Sequence, residues 1–138
     1  MPDEIYYDNS ATTRTREEAA KLVYEMLTEC YGNPSSLHRK GFEAQKRLDK
    51  AREQVASSLG CQSSEIYFTS GGTEADNIAI LGAARAQKRR GNRIVTTAFE
   101  HDAVLNTVKY LESEAWEIVR LMPDANGQIT PEQVLEAV

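Results

Sequence analysis

The chain has 138 residues, with 16 basic against 21 acidic side chains and a net charge of −5. That length supports at most one domain with a real core, and the acidic balance argues against a nucleic-acid partner, which would select a basic face. Hydrophobic content of 41% and charged content of 27% are ordinary for a soluble globular protein, and two cysteines, Cys30 and Cys61, make no disulfide framework.

At the start, Met1-Pro2-Asp3-Glu4 is acidic where a secretory signal would be basic. No apolar run is long enough to span a bilayer, so no membrane partner is expected and a cytoplasmic location is the default. Ile5-Tyr6-Tyr7 suits a short strand and Asp8-Asn9-Ser10 a turn, within a polar arm over residues 1–14. Thr15-Arg16-Glu17-Glu18 predicts a capping box that opens a helix to about Cys30. Ala19, Leu22, Val23, Met26 and Leu27 recur at helical spacing and predict a packed face.

Tyr31-Gly32-Asn33-Pro34-Ser35-Ser36 is a breaker cluster, with glycine closing one helix and proline preventing its continuation. Ser35 or Ser36 can cap a helix over roughly Leu37 to Leu59, with Gly60 as its stop and Phe42, Leu48, Ala51, Val55 and Leu59 as its seam. His38 falls in its first turn, where the dipole disfavours a protonated ring; it reads as a surface or packing residue rather than a ligand.

Phe68-Thr69-Ser70-Gly71-Gly72-Thr73-Glu74-Ala75-Asp76-Asn77 is a strand end, a glycine turn and a helix start. Glu65 to Thr69 carries the β-branched and aromatic residues of a short buried strand. Gly71-Gly72 permits positive φ and a close ligand approach, and Thr73 reads as the N-cap with Asp76 as its partner. A helix from about Glu74 towards Arg90 follows, with Ala75, Ile78, Ala79, Leu81 and Ala86 available for a buried stripe. Its first turn would suit an anion such as a phosphate, although an ordinary strand–turn–helix connection with a threonine cap has the same appearance.

Beyond the solvated Gln87-Lys88-Arg89-Arg90 end, residues 93–99 predict a second strand, with Glu100-His101-Asp102 just past it and a helix from about Ala103 to Glu112. Trp116 to Leu121 predicts a third strand, Asp124-Ala125-Asn126-Gly127 a turn, and Thr130-Pro131-Glu132-Gln133 a capping box with proline at its first helical position. Strand–helix alternation from residue 65 onward argues an α/β fold with a mostly parallel sheet flanked by helices. In such sheets ligands bind beyond strand carboxyl ends, which is where Gly72-Thr73 and His101 both fall. No metal site is assigned.

Four ordered segments carry a family resemblance: Tyr7-Asp8-Asn9-Ser10-Ala11-Thr12-Thr13, Gly32-Asn33-Pro34-Ser35-Ser36-Leu37-His38, Phe68 through Asn77, and Phe99-Glu100-His101. Together they resemble the cysteine desulfurases, the nitrogen-fixation and iron–sulfur-cluster branch of the class V aminotransferases. The Gly-Asn-Pro-Ser-Ser-x-His segment favours this branch over the selenocysteine lyases. The resemblance implies the N-terminal portion of the fold-type-I transferase fold, which binds pyridoxal 5′-phosphate. It implies that Gly72 and Thr73 hold the cofactor phosphate and that His101 lies against the pyridine ring, where it takes part in proton transfer. It further implies a homodimer that converts L-cysteine to L-alanine and passes the sulfur, through an enzyme persulfide, to acceptor proteins.

Family members are much longer than this chain. Their Schiff-base lysine, pyridinium-facing aspartate, cysteine nucleophile and substrate-binding arginine have no counterpart among these residues. The expected organisation is therefore one incomplete domain over 1–138: the arm 1–14, a helical segment 15–60, and the start of the α/β cofactor-binding domain at 65–138. By this reading the chain cannot complete the reaction alone. The other expectation is a stand-alone, non-catalytic protein that binds a phosphate ligand or an intact desulfurase.

Overall fold

The computed structural model describes residues 5–138, so Met1 to Glu4 lie outside the described residues. Two compact units divide the chain, one ending at Tyr67 and the other spanning Phe68–Val138.

In the first unit, Ile5-Tyr6-Tyr7 is not a strand, because no segment among the described residues pairs with it. The turn at Asp8 does form, with its carbonyl accepting from the N–H of Ala11 at 3.2 Å. Helix α1 runs over Glu17–Thr28. Its N-cap is Arg16, with no side-chain cap, so the capping box predicted at Thr15 is one residue out of register. Leu22, Val23 and Leu27 do share a face of α1, but they are exposed and the helix buries no residue.

Helix α2 occupies Arg39–Leu59 and is capped by His38, whose Nδ1 accepts the Gly41 N–H at 3.4 Å, rather than by Ser35 or Ser36. Those serines belong to the preceding turn. Asn33 Oδ1 accepts from the Ser35 N–H at 2.9 Å, and the Asn33 carbonyl accepts from Ser36 at 2.9 Å. This turn lies so close to α2 that a Cβ on Gly41 would collide with the Ser36 and Asn33 carbonyls. One on Gly32 would meet the Lys40 carbonyl. The predicted seam of α2 is only partly covered: Phe42, Val55 and Leu59 are exposed, while Gly41, Ala44 and Ala56 are the buried positions. Gly60 ends the helix as expected, at φ 69°, with Cys61 N–H reaching the Ala56 carbonyl in a Schellman closure.

Ser63–Glu65 then forms a single 3₁₀ turn. The strand predicted over residues 65–69 is absent. Ile66 is extended, but the described residues offer this stretch no ladder, and Tyr67 is 81% exposed. β-Propensity marks a segment that fits a sheet and cannot supply the neighbour.

The second unit is a small α/β layer. Helix α3 spans Gly72–Gln87, strand β1 Arg93–Thr97, helix α4 Asp102–Ser113, strand β2 Glu117–Leu121 and helix α5 Pro131–Ala137. β1 and β2 pair in parallel, Arg93 opposite Glu117 through Thr97 opposite Leu121, with α4 as the crossover. The expected parallel α/β arrangement is present, with two strands rather than three. The core gathers Ala84, Leu111 and Trp116, with Ile80, Leu81, Ile94 and Ile118 packed against it. Hence α3 buries the Ile80–Leu81–Ala84 face, whereas Ala75, Ile78, Ala79 and Ala86, assigned to its core stripe from sequence, are exposed. The predicted turn at Asp124 and the Thr130–Gln133 capping box with Pro131 are both present.

α4 ends in a second Schellman closure, Trp116 N–H to Leu111 carbonyl and Ala115 N–H to Glu112 carbonyl, both 3.1 Å. Its left-handed residue is Ala115, at φ 65°, where glycine is usual. A left-handed alanine costs roughly 1–2 kcal/mol, partly offset by the greater flexibility glycine has when unfolded. Ala115→Gly is expected to stabilise the protein by about 0.5–1 kcal/mol, read from urea unfolding by Trp116 fluorescence. Gly41→Ala is expected to cost about 1–3 kcal/mol because backbone must move to admit the methyl group. A circular-dichroism melt unchanged by Gly41→Ala would contradict that close approach.

Candidate functional site

Both sequence-predicted site regions lie in the second unit, each at the first turn of a helix. In α3 the first intrahelical bond is Ala75 N–H to the Gly71 carbonyl, at 3.1 Å. The N–H groups of Gly72, Thr73 and Glu74 therefore have no partner inside the helix. Gly71 is the N-cap, with φ 167° and ψ 178°. That is extended backbone, so the positive φ expected of Gly71-Gly72 is not used. A Cβ on either glycine would meet nothing within 4 Å, which leaves the space over the turn open.

Thr73 is not the cap that the sequence suggests. With Gly71 in that position, Thr73 becomes the second helical residue and its hydroxyl bonds to no cap amide. Its carbonyl accepts from Asn77 Nδ2 at 2.8 Å. Three open N–H groups, the positive end of the dipole and a free hydroxyl form a donor set suited to a phosphate. The residues present thus fit the phosphate of pyridoxal 5′-phosphate.

Glu74, which sequence reasoning passed over, shapes this turn. Its Oε2 accepts from the Ser70 N–H at 2.6 Å and the Ser70 hydroxyl at 2.8 Å, folding the carboxylate back over the preceding loop. Those bonds, led by the backbone one, hold its pKa below the ordinary glutamate value. Asp76, expected as the capping partner, makes no such bond. The usable signal was Glu74 itself, four residues after a serine at a helix entry.

His101 is the N-cap of α4: its Nδ1 accepts from the Ala103 N–H at 3.1 Å. An accepting Nδ1 carries no proton, so the ring proton sits on Nε2. The ring is exposed, and Nε2 makes no hydrogen bond among the described residues. Just before it, Thr97 Oγ1 donates to Glu100 Oε1 at 2.7 Å, closing the loop between β1 and α4. Two further polar residues missed from sequence join the helices: Thr107 Oγ1 lies 2.8 Å from Asn77 Oδ1. By contrast, an apolar cleft of about 440 Å³ opens between α1 and α2, lined by Leu22, Met26, Pro34, Ala44, Leu48 and Ala51, and none of the sequence-predicted site residues lines it.

Against known proteins, the family model described as aminotransferase class-V matches residues 5–138. The chain belongs to that family. It is 42% identical over 134 residues to the cysteine desulfurase IscS of Methanosarcina thermophila, which covers 97% of this chain and 33% of the relative. It is 46% identical over 125 residues to the cysteine desulfurase of Trichormus azollae, covering 91% of this chain and 31% of the relative. Among solved structures, a NifS-like protein superposes with a TM-score of 0.89 at 39% identity, covering 97% of this chain and 37% of that one. SspA in complex with cysteine follows at a TM-score of 0.87 and 34% identity, covering 96% and 38%. The chain therefore spans about a third of the length of the curated relatives it matches. The family resemblance and the α/β fold expected from the sequence both hold.

Glu74 supplies a pH prediction. A carboxyl whose folded pKa is depressed contributes stability that is complete above its unfolded pKa and lost as pH falls through the folded value. The Ser70 amide resonance should accordingly shift with a midpoint below that of ordinary glutamate, and Glu74→Gln should abolish the transition. A midpoint at or above the ordinary value would contradict the bonding described.

Proposed function

We propose that this chain is part of a pyridoxal 5′-phosphate-dependent cysteine desulfurase and supplies its phosphate-binding turn and ring-facing histidine. Gly72 and Thr73 hold the cofactor phosphate, through backbone N–H groups and the Thr73 hydroxyl. His101 would face the cofactor ring, where its Nε2 could hold or move a proton. The observation that carries this reading is the open first turn of α3, where a glycine N-cap leaves the Thr73 hydroxyl uncommitted. Had Thr73 been the cap, its hydroxyl would have been occupied by the helix.

The cofactor, when bound, supplies the electron sink for carbanion chemistry. The substrate class is L-cysteine, in keeping with one structural relative being a cysteine complex. Its conversion to L-alanine passes sulfur to an enzyme persulfide and then to acceptor proteins, for iron–sulfur cluster or thio-cofactor assembly. On this reading the cofactor-binding lysine and the cysteine nucleophile of the enzyme are not among the residues here, which supply the phosphate turn and the histidine and do not turn over by themselves. The intact enzyme works as a cytoplasmic homodimer, and the exposed apolar face of α1 suits burial there.

The two site residues should fail differently in an enzyme that contains this segment. Losing a charge-assisted hydrogen bond costs roughly 1.5–3 kcal/mol, about ten- to hundredfold in affinity. Thr73→Ala should thus lose activity that excess cofactor largely restores. A positioned acid–base group contributes about 10²–10⁴ in rate, so His101→Ala should stay impaired at saturating cofactor. Cofactor titration with alanine formation as the readout decides it, and equal rescue of both variants would reject the roles.

A further inference from the structure

Thr107 is the buried polar residue among those described, at 3% exposure, on a face of α4 whose other buried positions are Ala103, Val108 and Leu111. Valine would fill that volume without desolvating a hydroxyl. The hydroxyl does more than satisfy itself. It reaches the Ala103 carbonyl one turn back at 2.7 Å, and its single proton is shared with Asn77 Oδ1 on α3, at 2.8 Å. Asn77 in turn donates from Nδ2 to the Thr73 carbonyl at 2.8 Å. Ala103 donates its N–H to His101 Nδ1 at 3.1 Å. The first turn of α3 and the first turn of α4 are thereby joined through two side chains: Thr73 to Asn77, Asn77 to Thr107, Thr107 to Ala103, and Ala103 to His101.

From this connection we infer that Asn77 and Thr107 are positioning residues that lock the Thr73 turn and the His101 ring into one fixed arrangement. Neither has to touch a ligand. Asn77 consumes both ends of its amide, and an asparagine inside a helix gives up helix propensity in return for such bonds. Thr107 transmits the contact because its acceptor, the Ala103 carbonyl, belongs to the residue whose N–H orients His101. Breaking the link leaves Asn77 Oδ1 without its donor and frees each helix start to settle independently. The inference rests on the phosphate and ring roles proposed above for its consequence in function, while the lock itself concerns only this chain.

The test uses the 138-residue chain, in which His101 is one of two histidines and is readily distinguished by ring ¹⁵N resonances. In the unsubstituted protein the His101 pattern should be that of an Nε2–H ring. The Gly72 and Thr73 amides should shift on titration with inorganic phosphate. Thr107→Val should move the His101 pattern towards a mixture of tautomers and weaken the phosphate midpoint about three- to tenfold. Thr107→Ser, which restores the hydroxyl, should return both. A folded Thr107→Val protein with a lower melting temperature but an unchanged His101 pattern would overturn the inference, because the hydroxyl would then serve stability alone. Asn77→Ala, at a partly exposed position, gives the same readings if Thr107→Val does not fold, and loss of folding in both would likewise assign the pair to stability and overturn it. Absence of any phosphate response in the unsubstituted protein would reject the phosphate turn and leave the lock to be judged on the His101 pattern.

Discussion

A chain leaving α4 at Ser113 must reverse over Glu114 to Trp116 if β2 is to lie beside β1, and the left-handed backbone at Ala115 makes that reversal. The closing bond from Trp116 N–H to the Leu111 carbonyl brings together the two residues whose side chains meet in the core. Asn92 holds the other side of the junction, its carbonyl accepting the Glu117 N–H at 2.8 Å and its amide reaching the Ala115 carbonyl at 3.4 Å. Arg93 and Glu117 thus enter the ladder opposite each other and form an ion pair at 2.9 Å. That pair is half-exposed and adds little stability. Its neighbours, Ile94 and Ile118, pack against the cluster of Ala84, Leu111 and Trp116 and supply the burial that fixes the register. Once the register is set, the carboxyl end of β1 is set, and with it the start of α4.

The starts of α3 and α4 are built on opposite principles. At α4 the chain supplies its own acceptor, His101 Nδ1, and the end is closed. At α3 it supplies none: Gly71 caps with backbone alone, and the nearest carboxylate, Glu74, turns towards Ser70. A negative side chain in a first turn normally serves the dipole. Here its hydrogen bonds go to the loop before the helix, so the turn keeps its open donors. α2 offers the comparison, since His38 caps it through Nδ1 just as His101 caps α4. Capping alone therefore does not set His101 apart; its place beyond a strand end in the α/β unit does.

What could be read from sequence divides along the range of the interactions involved. Gly60, the Asp124 turn and the Thr130–Gln133 box depend on neighbours within a few residues and were legible. The strands over 93–97 and 117–121 were legible too, because both partners lie in the chain and the alternation with helices names their direction. Residues 65–69 carry the same β-branched and aromatic signal and are not a strand, because pairing is a property of two segments. The apolar stripe of α1 was likewise real as a pattern and wrong as a statement of burial. Gly32 and Gly41 were beyond reach: a breaker and a mid-helix glycine do not announce that two backbones touch.

The site was half legible for a related reason. Short polar residues compete for the same backbone donors, and sequence identifies the competitors without the winner. Thr73 and Asp76 looked like a cap and its partner; Gly71 took the cap, Glu74 took Ser70, and the Thr73 hydroxyl was left over. His is not a favoured N-cap, so His38 and His101 were not read as caps, although both act as one. Placing Gly72, Thr73 and His101 as candidates came from their position at strand ends and from the family resemblance. Their chemical state came from this competition. A hydroxyl free at one helix start, an imidazole proton fixed on Nε2 at another, and a shared threonine proton between the two helices are consequences of which acceptor each donor reached.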